Sequence, residues 1–166
     1  AQEIRMLLLT EFKKVCMHSC CATWKSHPWG IRLGHIPVLE EIRDLTVKVP
    51  NPTAYVFQKV MIRDQVRDPD SKNKDVFYIF EVAVLFRNAL EILREEFDRL
   101  NPCHPKWKKR FATDIRQLFA SEHAEGPLAV VSIVADAGTA IDPEGRLITK
   151  EVVYRSVSKI IAALLD

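Results

Sequence analysis

Asp75-Val76-Phe77-Tyr78-Ile79-Phe80-Glu81-Val82-Ala83-Val84-Leu85-Phe86-Arg87-Asn88-Ala89-Leu90-Glu91-Ile92-Leu93-Arg94-Glu95-Glu96-Phe97-Asp98-Arg99-Leu100 is the stretch on which the fold turns. Its first half is apolar on nearly every side, and from Leu85 the apolar residues narrow to Leu85, Leu90, Leu93, Phe97 and Leu100. A helix apolar all round is normally enclosed by other helices, whereas a striped one leans on a core from outside. The pattern predicts one long central helix over 75–100, capped by Asp75, with Phe80, Leu85 and Phe86 in the core. The charged, breaker-rich run Arg67 to Lys74 before it reads as an exposed loop.

Working outward, Ile4, Leu8, Phe12, Cys16 and Cys20 recur at four-residue steps and predict a first helix, ended by His27-Pro28 because a residue before proline disfavours the helical conformation. A second helix is expected from Pro37 through Leu45. A third starts with Asn51 as N-cap and Pro52 in its first turn, where the missing proline N–H would be unpaired anyway. Trp107, Phe111, Ile115, Leu118 and Phe119 predict an amphipathic helix, and Glu125-Gly126-Pro127 reads as a break. The run Leu128 to Val134 would also suit a buried strand. With no partner strand legible elsewhere, it is assigned to a short buried helix. Thr149 opens the last helix, which carries Val152, Val153, Val157, Ile160, Ile161 and Leu164. The fold class is all-α, an irregular bundle of about seven helices around 75–100.

Composition narrows the function classes. The chain of 166 residues suits one domain with a real core, and its 48% apolar and 28% charged residues are those of an ordinary globular protein. A net charge of +2 creates no whole-molecule field that would draw nucleic acid or a membrane. No apolar run approaches the ~20 residues of a membrane span, and no secretory signal pattern is present. A start at Ala1 rather than Met suggests a domain excised from a longer chain. Cys16, Cys20 and Cys21 crowd one helical stretch and cannot staple distant segments. With Cys103 they read as reduced thiols, which places the protein in the cytoplasm or nucleus.

Four constellations invite a chemical reading. Cys16 and Cys20 could share a soft metal ion, but zinc knuckles use C-x2-C pairs, which are missing, and both thiols continue an apolar stripe. Ala140 to Glu151 resembles the spacing of a twelve-residue calcium loop, with Asp142, Glu144, Gly145, Leu147 and Glu151 in register. Ala140 stands where the first carboxylate belongs, so an Asp-Pro-Glu-Gly turn before a helix explains the same letters. Arg99 and His104 could clamp a phosphate and move a proton in a metal-free ribonuclease, yet no second base is identifiable. Lys106, Lys108, Lys109 and Arg110 around Trp107 could grip a nucleic-acid backbone. As a solvated face around a buried Trp107 they need no ligand.

The expected function is a non-enzymatic helical interaction or assembly domain, with no cofactor or metal, no membrane contact, and a protein or a second copy as partner. A nucleic-acid-binding or ribonuclease-like module using Arg99, His104 and Lys106 to Arg110 is the alternative. A degenerate calcium-loop protein comes third.

Overall fold

A computed structural model describes residues 29–32, 46–49, 51–63, 68–100, 105–138 and 145–166. The chain divides into two compact units, Ala1–Asn51 and Pro52–Asp166. In the first, β1 (Trp29–Arg32) pairs antiparallel with β2 (Thr46–Val49), Trp29 opposite Val49 and Arg32 opposite Thr46. Isoleucine, valine and threonine suit these strands, but a four-residue run is too short to show an alternating pattern. The sequence reading contained neither strand, and the two pair with each other. The expected helices over Ile4–Cys20 and Pro37–Leu45, and all four cysteines, lie outside the described residues.

Pro52–Asp166 is all-α. Among its described residues run α1 (Pro52–Ile62), α2 (Pro69–Leu85), α3 (Leu90–Arg99), α4 (Pro105–Leu118), α5 (Glu125–Asp136) and α6 (Lys150–Leu165). The run Leu128 to Val134 is indeed helical, within α5. The proline at 127 sits inside its first turn instead of ending the chain direction there, since a first turn needs no N–H from proline. At the other end of α5, Gly138 takes φ 66°, the left-handed conformation that glycine adopts without a Cβ clash after a helix.

The long helix over 75–100 is two helices. α2 ends at Leu85, the Phe86 N–H donates to Val82 O at 3.0 Å, and Ala89 N–H donates back to Phe86 O at 2.9 Å before α3 begins. An unbroken helix over that stretch would be ~39 Å long, beyond the ~30 Å diameter of a small domain. The break returns Leu93, Phe97 and Leu100 to the core, each at most 5% exposed. α2 also starts earlier than expected. Asp68 is its N-cap, accepting from Ser71 N–H at 2.8 Å, and Pro69 opens the first turn, so residues 69–74 are helix and not loop. Asp75 is a buried mid-helix residue, not a cap.

Leu85 is a further correction. It is 72% exposed, whereas Val76, Ile79, Phe80 and Ala83 are at most 2% exposed. At about 100° per residue Leu85 lies roughly 140° around the helix from Phe80, off the buried face. Phe86 is only half-buried.

α6 packs against α2, α3, α4 and α5, and α1 against α2, α3 and α4. Val153, Val157 and Ile160 line the inner face of α6 with no exposed surface, and Thr149 caps it by accepting from Val152 N–H at 3.2 Å. The C-terminal helix therefore holds the centre at least as much as α2 does. Phe111 of α4 joins three helices, its ring centroid 5.0 Å from Phe57 of α1 and 5.7 Å from Phe97 of α3.

Candidate functional site

The α3–α4 region was expected to hold any catalytic or phosphate-binding chemistry. Arg99, at the end of α3, is half-exposed and ion-paired one turn back with the buried Glu96. A cation in a last helical turn also complements the helix dipole, so Arg99 has two structural roles on the page. His104 lies outside the described residues.

On α4, Lys106, Lys109 and Arg110 are exposed, while Trp107 and Lys108 are half-buried. The Lys108 ammonium stands 5.1 Å from the centroid of the Phe97 ring, a cation–π contact that draws it toward α3. Arg110 Nε donates to Asp114 at 3.2 Å, and Arg116 binds Asp166 at 3.0 Å. The basic cluster is thus partly engaged within the fold, with Lys106 and Lys109 at its outer edge.

The calcium-loop pattern falls only in part on described residues. Asp142 and Glu144 lie outside the described residues. Gly145 takes φ 78°, as a tight turn demands. Leu147, which a calcium loop would turn inward at its eighth place, is 60% exposed. Glu151 pairs with Arg155 at 2.6 Å in the first turn of α6. Among the described residues no group of three or more His, Cys, Asp or Glu gathers for a metal ion.

Two features escaped the sequence reading. The first lies between α1 and α2, where Lys59 Nζ donates to Asp75 Oδ1 at 2.5 Å and stands 5.3 Å and 5.4 Å from the Tyr55 and Tyr78 ring centroids. Burial pushes the Tyr55 phenol above its ordinary range, and Tyr78, Asp75 and Glu81 add to the effect. Burial likewise raises the Glu81 carboxyl. An ammonium shared by one carboxylate and two rings compensates its own desolvation, so this cluster pins α1 to α2. The partners are 16 residues apart in sequence, beyond any single-helix pattern.

The second is the corner between α2 and α3. Leu85 is 72% and Ile92 39% exposed, and Phe86, Ala89 and Leu90 are half-buried between them. Glu91, Arg94 and Glu95 stand exposed beside this apolar knuckle. Single exposed apolar side chains are ordinary, and Tyr78, Leu128 and Leu147 are exposed elsewhere; here two, Leu85 and Ile92, flank one turn. Alternation of exposed and half-buried residues around a turn leaves no periodic signature.

No family model, curated protein or solved structure matches the chain. No helix among the described residues is long and apolar enough to cross a membrane.

Proposed function

We propose that the chain is a non-enzymatic helical interaction domain whose partner is another protein, docked on the α2–α3 corner. The observation that carries this reading is the exposure of Leu85 and Ile92 around three half-buried apolar neighbours. Covering them removes apolar surface from water at about 25 cal/mol per Å². The polar border of Glu91, Arg94 and Glu95 supplies register, as rims of interfaces do.

A photo-crosslinking side chain placed at Leu85 and, separately, at Ile92 tests this in cells, with Arg155 on the exposed side of α6 as control. The expected result is the same discrete protein adduct from both corner positions and none from the control. Adducts to nucleic acid, or the same diffuse pattern at all three positions, would remove the corner as a protein-docking site.

A further inference from the structure

We infer that Tyr55, Tyr78 and Asp75 together form a receptor site for a primary alkylammonium ion, occupied in this fold by the chain's own Lys59. The site is independent of the docking reading, since it uses none of the corner residues. Each helix supplies two of the four groups at a spacing fixed by local geometry. Tyr55 and Lys59 are four residues apart on α1, and Asp75 and Tyr78 are three apart on α2, so each pair shares one helix face. The two ring centroids lie 6.1 Å apart, with the ring planes inclined by 58°. Lys59 Nζ stands over both rings, 5.3 Å and 5.4 Å from their centroids, and donates to Asp75 Oδ1 at 2.5 Å.

The faces of aromatic rings are electron-rich and attract cations of any shape, which is why rings alone can cage a quaternary ammonium. Asp75 changes that preference. Its side chain is only 9% exposed, and its charge-assisted hydrogen bond requires an N–H donor, which a quaternary ammonium lacks. The fitting ligand is therefore a primary ammonium on a short unbranched stem. The Lys59 side chain beyond Cβ is such a group, a propylammonium ion. Tyr78 keeps 37% of its surface in water, so one side of the site is open to a ligand arriving from solvent. A tethered occupant pays no entropy for capture from solution, and Lys59 accordingly keeps free amines out of the native chain.

Thermal melts of the full chain carrying Lys59→Ala test this, because alanine retains Cβ and leaves a vacancy of propylammonium shape. Propylammonium chloride should raise the melting temperature of this variant in a saturating manner. At a fixed temperature its folded-to-unfolded ratio should grow about elevenfold when the ligand reaches ten times its dissociation constant. Sodium chloride, tetramethylammonium chloride and 1-propanol at matched concentrations should not reproduce the rise. The native chain should show none beyond the sodium chloride control, and Lys59→Ala/Asp75→Asn should lose it. If Lys59→Ala does not fold alone, propylammonium present during refolding should restore its helical circular dichroism. Absence of any rise or refolding overturns the inference. So does an equal rise with tetramethylammonium or 1-propanol, in the native chain, or without the Asp75 carboxylate.

Discussion

Two leucines of the opening stretch, eight positions apart in sequence, should respond to the same truncation by very different amounts. Leu93 is 1% exposed on the inner face of α3, and its carbonyl accepts from the buried Thr53 hydroxyl at 3.0 Å. Leu93→Ala keeps that backbone hydrogen bond but empties a packed site beside Phe97. The loss comprises the transfer free energy of the deleted atoms and the cavity left behind, about 2–5 kcal/mol together. Leu85 keeps 72% of its surface in water, so only about a quarter of the ~1.5–3 kcal/mol for full burial is at stake. Alanine and leucine are both strong helix formers. Leu85→Ala should therefore cost about 0.5 kcal/mol. Urea denaturation followed by far-ultraviolet circular dichroism measures both, with the slope checked for constancy between variants. A loss above ~2 kcal/mol for Leu85→Ala, or below ~1 kcal/mol for Leu93→Ala, would refute the division of this stretch into an exposed corner and a buried second helix.

Three further outcomes follow from particular contacts. Asp75→Asn should destabilise by about 3 kcal/mol, because it leaves the Lys59 ammonium enclosed by Tyr55 and Tyr78 without its carboxylate; in the same denaturation assay Lys59→Met/Asp75→Leu should cost less than the single change. Gly126→Ala should destabilise by about 1–3 kcal/mol despite the helix propensity that alanine adds, since a Cβ there would stand 2.6 Å from Leu118 O and 2.7 Å from the Phe119 ring; a gain in thermal stability would show that α5 is free to shift from the end of α4. Hydrogen bonds from Ser71 hold the Asp68 carboxyl below its usual range. A depressed folded pKa means its contribution is complete above the unfolded value of about 3.9 and is lost as pH falls through the lowered one. Thermal melts from pH 6 to pH 2 should thus fall more steeply for the native chain than for Asp68→Asn, and equal slopes would count against the cap.

What the sequence determined by itself were the local decisions. Pro52 in a first turn, Thr149 as an N-cap, and the stripe Phe111, Ile115, Leu118 are set within one or two turns of chain, and each appears in the structure. The helical fate of Leu128 to Val134 also followed from the chain, through the absence of a legible strand partner. Short-range sterics and hydrogen bonding suffice for such features. The turn at residues 86–89 is different in kind. No proline or glycine marks it, and it exists because a straight helix would overrun the core that α1 and α6 offer. The same packing decided that Leu85 faces solvent, that Asp75 meets Lys59 across two helices, and that Phe111 gathers Phe57 and Phe97. Each of these joins residues more than one helical turn apart, where only the free energy of burying the whole apolar surface, and not local propensity, selects one arrangement.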